Sequence, residues 1–336
     1  MKKRNVKRDD SPSVQKPAKL QQKKKEKTST SWKKIILLSL GAAVMLGFSV
    51  YILPELIQQV VFMYRNFSLN HTVNMYFTPE EGISLGVWLT VPDDQWKEAQ
   101  GKDLSWYEKS LGNGSPVFIY LHGNTKNRAA PHRIGVSKVL SALGYHVLVP
   151  DYRGFGDSTG EPTEDGLTTD ALYVYDWVKA RSGNSLVVLW DTHSGQGLVS
   201  TNLAVKLLER GVVLDGVILE GAFNAAPTNL PVTIFYWFYW SLPGVKYMFA
   251  AGTKNPVFPS VENLKKMKSP VLFLHSEDDP FVPIKVIEEM HEIAANAQSK
   301  DRVKLERFDG SKGYLHNGLY RDAKLPGVLK DFVESL

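Results

Sequence analysis

From Asn74 onward the chain alternates short apolar runs with longer amphipathic stretches. Asn74–Val91 switches between apolar and polar positions and breaks at Glu80-Glu81-Gly82, which predicts a hairpin. Val117-Phe118-Ile119-Tyr120-Leu121 is apolar throughout, as a strand covered on both faces requires. Segments at Tyr145–Pro150, Ser185–Trp190, Val213–Glu220, Val271–His275 and Val303–Phe308 predict further strands. Helices are expected near 132–143, closed by Gly144, and near 165–181, 197–210 and 283–296. Strands alternating with helices predict an α/β fold, a mostly parallel central sheet with helices on both faces. Ligands in such sheets sit at the carboxyl ends of the strands. The polar clusters fall at those ends, at 122–124, 151–158, 191–196 and 276–280.

Two regions break this rhythm. Residues 222–262 hold Phe235-Tyr236-Trp237-Phe238-Tyr239-Trp240, then Pro243-Gly244 and Tyr247-Met248-Phe249. One reading is a core helix aromatic on every face. The other is a cap inserted over the strand ends, where Phe235, Trp237, Phe238 and Trp240 offer apolar surface to an acyl chain or to lipid. The second region is Ile35–Leu53, 19 residues without a charge, about 29 Å as a helix against a hydrocarbon core of about 30 Å. Lys33 and Lys34 precede it, and Trp32 and Tyr51 lie near its ends, as interface anchors do. A core helix and a cleaved signal peptide are the competing readings, and the second usually has a shorter apolar run. The expected layout is a tail over 1–34, a transmembrane helix over 35–53 and a body over 54–336.

Charge sharpens this layout. Residues 1–34 carry 13 Lys/Arg against three acids, leaving 27 against 32 in the rest of the chain. The basic tail is expected to be disordered and cytosolic. The acidic body is then on the opposite side, and it argues against nucleic-acid binding, which needs a basic patch on the folded domain. Asn66, Asn70 and Asn113 each begin an N-x-[ST] sequon and are candidate glycosylation sites. The absence of cysteine excludes disulfides, zinc–thiolate sites and thiol catalysis.

The remaining polar clusters suit a serine nucleophile, a histidine base, an orienting carboxylate and two donors for an oxyanion. Ser194 stands between a predicted strand and helix, in Trp190-Asp191-Thr192-His193-Ser194-Gly195-Gln196-Gly197. A nucleophile elbow needs small residues two before and two after the serine; here they are Thr192 and Gln196. A helix-capping serine is the plainer alternative, and His193 is expected to pack beside the turn. Asp279, just past a strand, is the candidate acid, with Asp278 its competitor. His316, between the last strand and the last helix, is the candidate base. The order Ser, Asp, His is the α/β-hydrolase order. Backbone N–H groups of Asn124 and Gly195 are the candidate oxyanion donors. No metal and no organic cofactor is expected.

Several segments carry a resemblance to a known family: Leu121-His122-Gly123-Asn124, Asp151-Tyr152-Arg153-Gly154-Phe155-Gly156-Asp157-Ser158, Asp176–Gly183, His275–Pro280 and Gly313–His316. Together they resemble the membrane-anchored α/β-hydrolase domain-containing protein 12 family. That family comprises the lysophosphatidylserine lipase, also described as a monoacylglycerol lipase, and its close paralogue. The resemblance implies an α/β-hydrolase fold behind one transmembrane helix, in the endoplasmic-reticulum membrane with a luminal body. It also implies a lipid ester substrate, cleaved to a free fatty acid, with triad roles for Ser194, Asp279 and His316. Where the family reads Trp-Gly-His-Ser-Leu-Gly-Thr-Gly, this chain has one more residue between Trp190 and the His-Ser pair and one fewer after it. The alternative is therefore a catalytically impaired member that binds lipid or a partner. A dehalogenase-like or peptidase member of the fold is a third reading.

Overall fold

A computed structural model of the protein describes residues 71–123, 125–192, 198–222 and 259–336. The chain divides after Asn66, and all described residues belong to the unit Phe67–Leu336. Eight strands form one sheet: β1 Thr72–Phe77, β2 Leu85–Thr90, β3 Val117–Leu121, β4 His146–Pro150, β5 Val187–Thr192, β6 Gly216–Glu220, β7 Val271–Ser276 and β8 Val303–Phe308. Their spatial order is β1-β2-β4-β3-β5-β6-β7-β8. β2 runs antiparallel to both its neighbours, and the other pairings are parallel. The helices that concern the site are α1 Leu104–Ser110, α2 Pro131–Ala142, α3 Glu164–Lys179, α4 Val199–Glu209, α5 Ser260–Lys266, α6 Ile284–Ala297 and α7 Leu325–Glu334.

The inner strands β2 to β7 are buried along their whole length because both faces are covered, whereas the edge strands β1 and β8 carry exposed polar residues. Alternate residues serve different cores. Val117, Ile119 and Leu121 of β3 join a core with Val174 of α3, Leu203 of α4 and Ile287 of α6. Phe118 and Tyr120 join the opposite core with Leu140 of α2 and Leu329 and Phe332 of α7. The chain leaves β3 for β4 on one side and returns for β5 on the other. That reversal is a topological switch point at the carboxyl ends of β3 and β5, the place where ligands of such sheets bind.

Several expected boundaries move. β5 runs to Thr192 rather than Trp190. The β-branched Thr192 suits a strand, and its hydroxyl donates to the Leu121 carbonyl (3.2 Å). β6 starts at Gly216, because Val212 and Val213 are exposed and Asp215 instead accepts the Val187 N–H (2.8 Å). Helices α1 and α5 were not anticipated from the sequence pattern.

The expected transmembrane helix, and with it the expected single-pass placement in the endoplasmic-reticulum membrane, is corrected here. Among the described residues no helix is long and apolar enough to cross a membrane. The longest, α3, has 16 residues and carries Glu164, Asp165, Asp170, Asp176 and Lys179, whereas a span needs about 20 mostly apolar residues. The segment 35–53, from which the span was expected, lies outside the described residues, as does most of the expected cap, 223–258.

Candidate active site

The turn after β7 is built around two consecutive acids. Asp279 Oδ1 accepts the backbone N–H groups of Phe281 (2.8 Å) and Val282 (3.1 Å). The Val282 carbonyl in turn accepts from the buried ring of His275 (2.9 Å). This leaves Asp279 Oδ2 facing His316 Nδ1 at 2.7 Å. Burial pushes the Asp279 carboxyl up, but the hydrogen bond and charge of His316 and the two N–H groups outweigh it, holding the group below the usual carboxylate range. With Nδ1–H donated to the carboxylate, the neutral His316 ring carries its lone pair on Nε2, the atom a general base uses.

His316 lies on the loop between β8 and α7, and three neighbours shape its seat. Gly221, just past β6, has φ +57°, and a Cβ there would lie 3.0 Å from His316 Cε1 and 3.8 Å from Asp279 Oδ2. Only glycine combines that backbone with that closeness. The Phe281 ring stands edge-on to the imidazole, with centroids 5.4 Å apart. Asp278, the competing acid, does not hold the histidine side chain. Its Oδ1 accepts the Ser276 hydroxyl (2.5 Å) and the Leu315 N–H (3.0 Å), and so fixes the backbone one residue before His316.

Two further carboxyls end neighbouring strands. Burial pushes Glu220 up to about 7, against the pull of Trp190 Nε1–H, which donates to it (2.9 Å), and of His316. Burial likewise pushes Asp191 up to about 7, opposed by the Ser200 N–H at the start of α4 (2.7 Å).

Just past the carboxyl end of β3, His122 is 1% exposed. Its Nε2 accepts the Tyr152 N–H (3.2 Å), so Nδ1 carries the proton and donates to the Gly123 carbonyl (2.7 Å). Burial and the nearby Arg133 keep this ring neutral. Arg133 of α2 donates to the Thr125 carbonyl (2.5 Å) and to that of Gly123 (3.4 Å). His132 is pushed down to about 3, by burial and then by Arg133, Lys126 and His316.

The structure thus brings together Asp279 and His316. Ser194, Gly195, Asn124, Phe235, Trp237, Phe238, Trp240, Asn66 and Asn70 lie outside the described residues. Asn113 is exposed, and its Oδ1 accepts the Ser115 N–H (2.9 Å). Among the described residues no group of three or more His, Cys, Asp or Glu could hold a metal ion. Sequence reasoning missed Gly221, Glu220, His132 and Arg133. The signal for Gly221 was a lone glycine closing an apolar run; the other three gave none.

Comparison with known proteins places the chain by fold and by family. The family described as the alpha/beta hydrolase fold matches residues 116–245. A Pyrococcus furiosus esterase, Pf2001, superposes with a TM-score of 0.55 at 18% identity, over 78% of this chain and 90% of that one, which shows the fold alone. Lysophosphatidylserine lipase ABHD12 of Danio rerio is 43% identical, over 80% of this chain and 71% of its own. Protein ABHD12B of Homo sapiens is 46% identical, over 78% and 73%. Likeness of that degree over most of both chains goes beyond a shared fold, and the chain belongs to the ABHD12/ABHD12B family.

Proposed function

We propose that the protein is a serine hydrolase that cleaves the acyl ester of single-chain lipids, lysophospholipid or monoacylglycerol, to a free fatty acid. Family membership supports ester cleavage of lipids in general. The observation that carries the mechanism is the Asp279–His316 pair at 2.7 Å, in its seat of Gly221, at the carboxyl ends of β6, β7 and β8.

In this reading Ser194 attacks the ester carbonyl while His316 Nε2 takes its proton. Asp279 orients the ring and stabilises the imidazolium that forms. The backbone N–H groups of Asn124 and Gly195 receive the oxyanion. His316 then protonates the leaving alcohol. Water, deprotonated by the same ring, releases the fatty acid from Ser194.

A second reading, an impaired member that binds lipid without turning it over, is favoured by Gln196. It stands two residues after the serine, a position that a nucleophile elbow reserves for a small residue. Labelling with a fluorophosphonate probe separates the two. Labelling of the native protein that vanishes in Ser194→Ala supports the hydrolase. A folded protein that takes no label supports the binder.

A further inference from the structure

Two apolar side chains at the catalytic turn are not accounted for by folding. Phe281 is 51% exposed and Leu315 53% exposed, among the few large apolar side chains so exposed in the described residues. Phe281 packs edge-on against the His316 ring, and Leu315 immediately precedes His316 in the chain. Each is fixed through its backbone rather than its side chain. Asp279 Oδ1 accepts the Phe281 N–H, and Asp278 Oδ1 accepts the Leu315 N–H. Leu315 also sits at φ +54°, in the left-handed region that leucine rarely occupies and that glycine or asparagine would take at less cost. An exposed leucine held in strain beside a reacting group points to a use for its side chain.

We infer that Phe281 and Leu315 form a fixed apolar lip beside His316 that seats the acyl chain of the ester, and so determine chain-length preference. This rests on the hydrolase reading but adds to it, because it places chain recognition on the catalytic turns themselves. The two carboxylates hold both backbones in place before substrate arrives, so little ordering is left to lower affinity on binding. The occupant is an alkyl chain rather than a polar head group. Neither side chain offers a hydrogen-bond partner, and one CH₂ after another gains by leaving water.

The test uses full-length protein and its Phe281→Ala and Leu315→Asn variants. Asparagine tolerates the left-handed backbone, so Leu315→Asn removes the apolar surface without disturbing the turn. The readout is kcat/KM for p-nitrophenyl decanoate divided by that for the acetate. The ratio falls about tenfold in each variant if the lip seats the chain. An unchanged ratio overturns the inference, whatever the absolute rates. Calorimetric binding of dodecanoate provides a measure that needs no turnover, and the double variant binds it at least tenfold more weakly than the native protein. Native protein that hydrolyses no ester removes the hydrolase reading, while dodecanoate binding still decides the lip. Equal binding by native and variant protein, or none by either, overturns it.

Discussion

Replacing Gly221 by alanine tests the catalytic seat without touching a reacting group. Two costs follow from the structure. The first is conformational: an L-residue at φ +57° costs roughly 1–2 kcal/mol. The second is steric. The new Cβ would stand 3.0 Å from His316 Cε1 and 3.3 Å from Nδ1, whereas carbon atoms pack best at about 3.5–4.0 Å. The ring must therefore recede by about 0.5 Å. It cannot do so freely, because Nδ1 is tied to Asp279 at 2.7 Å and Phe281 covers the ring. A 1 Å misplacement of a reacting group costs on the order of 10²-fold, so half of that corresponds to about tenfold. The expected result is a tenfold slower second-order rate of fluorophosphonate labelling. Tm should also fall by about 2–8 °C, at roughly 2–4 °C per kcal/mol for a domain of this size. The low-field Nδ1–H proton resonance of His316 should move as well, and it reads the seat without any turnover. A folded Gly221→Ala protein that labels within twofold of native and keeps that resonance in place would refute the steric argument. A loss of Tm alone would leave only its conformational half.

Two further outcomes are expected. Asp279→Ala removes the partner of His316 Nδ1 and slows labelling by about 10³–10⁴-fold. Asp278→Ala removes the acceptor of the Leu315 N–H and of the Ser276 hydroxyl but leaves the partner of His316 in place, and costs less than about tenfold; the reverse ranking would reassign the acid. Stability against pH should show two opposed limbs. Asp279, held below its ordinary range, contributes stability that is present above about pH 4 and is lost as the pH falls further. Asp191 and Glu220, both pushed up to about 7, hold their protons more firmly when folded. Their contribution is complete below about pH 4 and is lost as the pH rises through 7. His122 and His132, whose rings burial pushes down, add the opposite slope below about pH 6.5, so the test is a difference. Between pH 5 and pH 7, Asp191→Asn or Glu220→Gln should each shift the change in Tm upward relative to the native protein, and an identical change in both variants would remove these two groups as contributors.

The fold was legible because its inner strands are buried on both faces. Val117–Leu121 begins and ends where its apolar run does, since a strand between two layers of helix favours apolar residues throughout. Legibility failed where a polar side chain works for the backbone. Asp191 and Thr192 read as loop. Yet Thr192 donates across to β3 and Asp191 accepts from the first turn of α4, so β5 runs two residues further than its apolar run. The opposite error occurred at β6, where Val212 and Val213 extend the apolar run into solvent. Helices α1 and α5, of seven residues each, are too short for a periodic pattern to stand out.

At the site, the contact of Asp279 with His316 follows from topology. β7 and β8 are parallel neighbours, so the loops leaving their carboxyl ends meet. What the sequence could not rank is which polar strand ends do chemistry and which carry the scaffold. His122 after β3, Asp151 after β4, Asp191 in β5 and Glu220 in β6 are all buried, as Asp279 nearly is. Each has its own partner: the Tyr152 N–H for His122, Arg128 for Asp151, the Ser200 N–H for Asp191 and the Trp190 indole for Glu220. These four contacts tie strand ends to their surroundings. The fifth joins a carboxylate to a histidine that is only partly buried, and exposure is what a reacting base requires. Side-chain direction along β5 and β6 decides this division. Residues of one strand point alternately to opposite faces. Asp191 is therefore turned toward α4, while Trp190, one residue earlier, points to the other core and reaches Glu220. A shift of one residue would exchange these roles, and the insertion of one residue after Trp190 relative to the family pattern falls at the place where that matters most.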